Sequence, residues 1–564
     1  PTAGSQWRKC SDIWPRMAKN SDMMRYFKTI VSFLAAVSVT VAAFSQSKSF
    51  KLGQWVEIQN SIMSNLSRYY VDSLPVDRMY KAGVDVMLDN LDPYTVYVPE
   101  AEQDNFEMMI SNTYGGIGAI IYKPEKDGNV IINEPYAGSP AAKAGLRCGD
   151  EIISIDGVSA GGLEVGQASS RMKGKPGTDV AFQGKKVRTG EIIELKITRE
   201  RIHLPNVEYA GILSDGKTGY IFQTGFTQNA YEEIRDSYYT LKKQGMTRLV
   251  LDLRGNGGGS LDEAIKIVSL FVPKGTLVVT TRGSLEREVK YVTRHDPVDT
   301  KIPVMVMVDS GSASASEIVS GAIQDLDRGM IAGKRSYGKG LVQKIVPIVY
   351  DGQLKVTVAK YYTPSGRCVQ AKDYSHRAED GSVGNIPDSL TREFKTAGGR
   401  TVRDGGGITP DFIVEAQPYN RITYSVVLSG LTNNYPVIYA RKHDSIAPLA
   451  DFHLNDEEYA EFVDWAVEQK FDDRSESRTY YDLMVEQLKK DGEYDDIASQ
   501  LDTIGKAVRM DKKTSLMKAK AQIMPLLEEE IAVRYYFQSA GPVIRLRGDV
   551  QLQAALKKWD ESTR

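Results

Sequence analysis

Two stretches of this chain are apolar without interruption where a strand would normally alternate. One is Arg248-Leu249-Val250-Leu251-Asp252-Leu253 and the other is Pro303-Val304-Met305-Val306-Met307-Val308. Near-continuous apolar strands belong to parallel sheets covered by helices. The intervening segments supply the helices: Tyr231 to Lys243, Leu261 to Phe271 and Ser314 to Gln324, with a further strand at Gly219-Tyr220-Ile221-Phe222. Residues 204–415 therefore read as an α/β core.

The flanking segments differ in character. Residues 46–111 carry helical apolar spacing, as in Val56, Ile58, Ile62 and Leu66, then Met79, Val84, Met87 and Leu88. Residues 112–203 are rich in glycine and β-branched residues. Short apolar runs there, such as Val130-Ile131-Ile132 and Ile152-Ile153, and the turn Asp156-Gly157 read as a small β-rich module. Residues 372–407 are polar and loop-like, and 416–564 read as helical to the end.

Composition narrows the function classes. Lys and Arg (71) nearly cancel Asp and Glu (73), so no basic excess points to nucleic acid. The five histidines, His203, His295, His376, His443 and His453, have no metal-ligand spacing and lie outside the glycine- and serine-rich motifs. That argues against zinc chemistry and a Ser-His-Asp triad. The cysteines Cys10, Cys148 and Cys368 imply no disulfide framework, and Cys148 and Cys368 are expected to be free thiols. From Met24 a basic flank (Arg25, Lys28) leads into an apolar run, Thr29 to Phe44, that ends in Ala43-Phe44-Ser45. The run is shorter than the roughly 20 residues of a membrane span. It reads as a secretory signal peptide cleaved after Ser45, so that 1–45 is an upstream and targeting segment and the mature chain is exported, into a bacterial periplasm.

Four constellations could carry chemistry. The strand at Val304–Val308 runs into Asp309-Ser310-Gly311-Ser312-Ala313-Ser314-Ala315-Ser316-Glu317. A serine at such a strand-to-helix turn has free backbone N–H groups and a positive dipole end beside it, both suited to a developing oxyanion. Ser314-Ala315-Ser316-Glu317 is equally a Ser-x-x-Glu capping box, which needs no chemistry. Residue chemistry alone leaves Ser312, Ser314 and Ser316 open as nucleophile. Lys339, between Gly338 and Gly340, could be the base if its pKa falls well below about 10. Gly333 to Lys339 also fits the phosphate-loop pattern G-x4-G-K, but Gly340 stands where a hydroxyl should hold magnesium. Asp252 to Gly259 is a strand ending in a glycine-rich turn that can aim N–H groups into one concavity, or simply join a strand to a helix. Tyr114-Gly115-Gly116-Ile117-Gly118, followed by Ala119-Ile120-Ile121, could hold a peptide carboxylate and pair with a peptide backbone.

In this order the segments resemble the carboxy-terminal processing, or tail-specific, peptidase family, in its longer Bacteroidetes-type form. The matching motifs are Tyr114–Gly118, Gly138-Ser-Pro-Ala-Ala142 with Ala144-Gly-Leu146, Asp252-Leu-Arg-Gly-Asn256 and Ser312–Glu317. They continue with Tyr337-Gly-Lys-Gly340 and Gln343, Tyr361–Arg367, and Gly407-Ile-Thr-Pro-Asp411. The resemblance implies a crotonase/ClpP-like α/β protease core with a β-rich PDZ domain at 112–203 and helical N- and C-terminal regions. It implies Ser314 as nucleophile, Lys339 as base and Gln343 as the residue that orients the lysine. It puts the oxyanion hole on the backbone N–H groups of Gly255 and Ala315, and peptide binding on Gly116, Ile117 and Gly118. The implied activity is that of an exported serine endopeptidase cutting proteins near their C-termini, without metal or cofactor. Its partners would be protein or peptide C-termini and not nucleic acid, with membrane contact only through an uncleaved signal segment; a homo-oligomer is compatible with the sequence. Two features depart from the simplest members: the insert Ala371–Gly406 and the helical region 416–564. A catalytically inactive PDZ scaffold and a crotonase-type acyl-CoA enzyme are the competing readings.

Overall fold

Successive residues of the central strands face two different cores. Leu249, Leu251, Val304, Val306 and Val308 pack with Ile234, Ile267, Val319 and Ile323 on one side of the sheet. Val250, Met305 and Met307 face Leu552, Ala555 and Trp559 on the other. A strand's side chains alternate, so an uninterrupted apolar strand requires a cover on each face.

The structure is a computed structural model that describes residues 48–562, apart from 124–127, 285–286, 473–474 and 509–510. The expected signal peptide and Cys10 lie outside the described residues. The chain divides into two units, Pro1–Met87 and Leu88–Arg564. Within the first, Lys48–Tyr69 is a helix and a second helix begins at Val76. No helix among the described residues is long and apolar enough to cross a membrane.

The second unit holds the central sheet, in the order Val207–Ile212, Thr218–Gln223, Arg248–Asp252, Val304–Val308, Met330–Gly333, Phe412–Ile413. The first pair is antiparallel and the rest are parallel. Helices Ala230–Lys243, Leu261–Ser269 and Ala315–Asp325 cover one face. The C-terminal helix Val550–Ser562 covers the other, its Trp559 only 3% exposed. The helix expected from Ser314 starts one residue later, which leaves Ser314 as its N-cap.

A second, antiparallel sheet joins Val96–Val98, Gln353–Tyr362, Leu277–Gly283 and Val289–Val292, and Leu341–Pro347 forms a long hairpin with Gln353–Tyr362. The β-rich module has its own core of Ile117, Val130, Ile132, Ile152, Ile155 and Phe182. Its sheet ends at the edge strand Ala119–Tyr122, bonded on one side to Val130–Pro135. The turn Asp156-Gly157 has positive φ at both residues (48° and 77°), as a tight hairpin requires. Beyond Asn420 the chain is helical, with a separate core of Tyr435, Tyr459, Phe462, Ile523, Leu527 and Ile531. Within this region Lys512–Lys518 and Lys520–Tyr536 are separate helices, divided at Ala519.

If the C-terminal helix is a structural half of the sheet's packing, Trp559→Ala should cost about 3–5 kcal/mol in denaturant unfolding. A loss below about 1 kcal/mol would show that the helix rests on the sheet without supporting it.

Candidate active site

One buried carboxylate organises the region around Ser314. Glu317, in the first turn of the helix Ala315–Asp325, is completely buried. Its Oε2 accepts the N–H of Ser314 at 2.9 Å and the N–H of Lys339 at 2.8 Å. Its Oε1 accepts the Ser336 hydroxyl at 2.6 Å and the N–H of Gly338 at 2.7 Å. Burial pushes the Glu317 carboxyl up, and these donors pull it back. The serine turn and the lysine loop thus share one oxygen atom as acceptor. The same bonds dispose of the phosphate-loop reading, because the N–H groups of Gly338 and Lys339 are committed to Glu317 and cannot cradle a phosphate.

The three serines are distinguished by their surroundings. The Ser312 hydroxyl is fully buried and donates to the Leu253 carbonyl at 2.7 Å. The Ser316 hydroxyl, also fully buried, donates to the Asn256 carbonyl at 2.8 Å. Ser314 is partly exposed and sits at φ 56°, ψ −113°, a strained backbone for a residue with a Cβ. Its carbonyl accepts the Tyr361 hydroxyl at 3.1 Å. Strain of this kind persists only where surrounding bonds over-determine the backbone, as the Glu317 and Tyr361 bonds do here.

Lys339 is largely enclosed, and its Nζ lies 4.3 Å from the centre of the Tyr94 ring. Burial brings the lysine down to about 8. The neighbouring Lys355 adds to that effect, while Glu317 and Asp92 oppose it. Tyr94 is fixed by the turn Asp92-Pro93-Tyr94-Thr95, whose Asp92 carboxylate accepts the N–H groups of Tyr94 and Thr95, both at 2.9 Å. Thr95 Oγ1 accepts the Thr357 N–H at 3.2 Å, and the Thr357 hydroxyl accepts from Gln343 Nε2 at 3.1 Å. Gln343, expected to orient the lysine, therefore has its amide on Thr357, across the Leu341–Tyr362 hairpin.

The glycine turn closes the site on another side. Gly255, expected to offer its N–H to an oxyanion, donates it to Asp309 Oδ1 at 2.8 Å. The glycine that lies against the serine is Gly258: a Cβ there would stand 2.8 Å from both Ser314 Cβ and the Ala315 nitrogen. Only glycine fits that approach, and its φ of 95° suits it too. Ala315 is buried at the first position of the helix.

In the β-rich module, Gly116 ends a strand, Thr113–Gly116, that pairs with Glu200–His203. Ile117 is 2% exposed and its carbonyl accepts the Ala141 N–H, while Gly118 turns at φ 72° against Ser139. This loop opens into the edge strand Ala119–Tyr122. Among the described residues no three of His, Cys, Asp and Glu are grouped to hold a metal ion, and Cys148 and Cys368 are free thiols.

Sequence reasoning passed over Glu317 as a clasp, Tyr94 as a platform and Asp309 as an acceptor. Only Glu317 left a readable signal, in the capping box whose glutamate half is satisfied by the Ser314 N–H. Replacing Glu317 by Leu would leave two buried and two half-buried donors without this acceptor, at about 1–3 kcal/mol for each buried one. Glu317→Leu should therefore lower the unfolding free energy by several kcal/mol, whereas Glu317→Gln, which keeps one acceptor oxygen, should lose less. Equal stability of wild type and Glu317→Leu in urea would contradict the clasp.

The chain is similar to known proteins. The sequence profile of peptidase family S41 matches residues 217–377, a PDZ profile matches 131–183, and the profile of the C-terminal helical domain of probable PDZ-proteases matches 422–558. A probable CtpA-like serine protease of Staphylococcus aureus is 33% identical over 309 residues, which are 54% of this chain and 61% of that protein. The chain thus spans about three fifths of that relative's length. A carboxy-terminal-processing protease of Bartonella bacilliformis is 33% identical over 315 residues, 55% of this chain and 71% of that protein. Among solved structures, the photosystem II D1 C-terminal processing protease aligns at 24% identity and a TM-score of 0.36, over 65% of this chain and 88% of that one. Sharing a third of its aligned residues with a relative over most of that relative's length, the chain belongs to the carboxy-terminal-processing protease family, within peptidase family S41.

Proposed function

We propose that this protein is a serine endopeptidase that cuts polypeptides near their C-termini, with Ser314 as nucleophile and Lys339 as general base. The observation that carries this reading is the shared Glu317 Oε2, which ties the backbone of a strained, accessible serine to that of a lysine brought down to about 8. A lysine of that kind is neutral often enough near pH 8 to take a proton from a hydroxyl.

The substrate's tail adds as a strand to the open edge Ala119–Tyr122, with its carboxylate at Gly116–Gly118. Neutral Lys339 takes the Ser314 proton and Oγ attacks the scissile carbonyl carbon. The oxyanion is met by the Ala315 N–H. Gly255 can add its own N–H once that group exchanges Asp309 for the oxyanion. Lys339, now an ammonium, protonates the leaving amine. Water, deprotonated by Lys339, then hydrolyses the acyl-enzyme. Gln343 supports the base at one remove, through Thr357 and the Asp92 turn that presents Tyr94. Export follows from the targeting pattern Met24–Ser45 and belongs to the same proposal.

Ser314→Ala and Lys339→Ala should each abolish cleavage of a denatured protein with an apolar tail, measured by gel and mass spectrometry. Retained cleavage in either variant would sink the dyad. The base works only when deprotonated, so kcat/KM should climb with pH and level off above a midpoint near 8. The Tyr94 ring favours the ammonium over the neutral amine. Tyr94→Leu keeps the apolar cover but loses that attraction, so the midpoint should move to lower pH. An unmoved midpoint would mean that the ring contact has no bearing on the base.

A further inference from the structure

The helical region beyond residue 416 reaches the catalytic turn through one arginine. Arg254 lies between Asp252, at the end of a central strand, and Gly255, where the glycine turn begins. Its Nε donates to both Asp252 carboxylate oxygens, at 3.0 and 2.9 Å. The far side of the guanidinium is held by residues from the start of the last helix. Nη2 donates to Asp549 Oδ2 at 2.6 Å, and Nη1 donates to Asp549 Oδ1 at 3.2 Å and Gln551 Oε1 at 2.9 Å. Gln551 is anchored in turn by its Nε2, which donates to the Val414 carbonyl at 2.7 Å.

Charge balance does not explain this arrangement. Asp252 is completely buried and already neutralises Arg254, and Tyr220 donates its hydroxyl to the same carboxylate at 2.6 Å. A second carboxylate, Asp549, 8% exposed, adds a net negative charge to an enclosed cluster, which is costly. What it supplies is geometry, because a guanidinium gripped by bidentate partners on two sides cannot swing. The next residues are those that shape the space around the serine. Gly255 bonds to Asp309, Asp309 also accepts the N–H groups of Gly311 and Ser312, and Gly258 lies against Ser314 Cβ and the Ala315 nitrogen.

We infer that Asp549 and Gln551 are positioning residues for catalysis, holding Arg254 so that the turn Gly255–Gly258 keeps its place beside Ser314. The C-terminal helical region is then part of the active-site scaffold of this protease. The inference rests on the proposed peptidase activity for its kinetic consequence, but not for its structural one.

The test uses the full chain with Asp549→Asn and Gln551→Leu, which leave the Arg254–Asp252 pair intact. Two quantities are read: amide hydrogen exchange of the segment 253–260, and kcat and KM on a denatured protein, normalised to folded protein by thermal melting. Exchange in 253–260 should quicken while Val304–Val308 stays protected. kcat should fall about 10- to 100-fold, the scale of a small misplacement of catalytic groups, with KM nearly unchanged. Asp549→Glu should recover part of the rate. Unchanged exchange in 253–260 would overturn the inference, as would a kcat per folded molecule equal to wild type. Quickened exchange in a chain whose wild type shows no Ser314-dependent cleavage would uphold the structural link and reject the peptidase reading instead.

Discussion

A carboxylate buried away from water is among the most costly groups a fold can contain, and it survives only with its lone pairs filled. Glu317 is such a group, and its donors come from the two loops that have to meet. The Ser314 and Lys339 N–H groups end on one oxygen, the Gly338 N–H and Ser336 hydroxyl on the other. The desolvation cost of the charge thereby becomes a constraint on distance. Neither loop can withdraw without leaving the carboxylate under-satisfied. Ser336 extends the constraint by accepting the Ile408 N–H at 2.6 Å, which brings the segment after the 371–406 insert into the same network.

The clasp can act only if both loops spring from a rigid base. The loop bearing the serine leaves the end of Val304–Val308, and the one bearing the lysine leaves the end of Met330–Gly333. These strands are parallel neighbours in register from Met305↔Met330 to Val308↔Gly333. The glycine turn leaves the next strand over, Arg248–Asp252, at the same end. Ligand-binding loops at the carboxyl ends of parallel strands are a general property of such sheets. Here the sheet's second face is sealed by Leu552, Ala555 and Trp559, so that the element completing the core also carries Asp549 and Gln551 to the turn.

How much of this was legible follows from the range of the interactions. The apolar runs Leu249–Leu251 and Val304–Val308 announced the parallel sheet, because burial on both faces leaves a mark in every residue. The need for a second cover was implicit in the same runs, yet nothing in residues 550–562 says which surface they cover. The Ser-x-x-Glu pattern announced a cap, and the cap is real in its glutamate half. The cap and the proposed nucleophile are the same residue, so the two readings do not compete. The hairpin Leu341–Tyr362 went unread because many of its residues are only partly buried, which blurs the alternation that identifies a strand. The Tyr94 contact with Lys339, the Asp309 contact with Gly255 and the Gln343 contact with Thr357 join segments with no shared periodicity. Only the folded chain brings them together.

The clasp also creates a conflict that the rest of the site must resolve. Glu317 favours a charged lysine, and so does Asp92, whereas the role of general base proposed for Lys339 needs it neutral. The Tyr94 ring pulls in the same unwanted direction. Two features oppose them: the enclosure of Lys339 and the like charge of Lys355, which is itself brought down by burial. Lys355 is in register with Val96, in the strand that directly follows the Asp92–Thr95 turn. The segment that presents an aromatic face to Lys339 therefore pairs with the strand that supplies the opposing cation. Burial and this antiparallel sheet's Lys355 lower the pKa of Lys339, and Glu317 holds its backbone. The two influences sit on different elements, so the backbones of Lys339 and Ser314 can share one acceptor without the lysine being locked into its charged form.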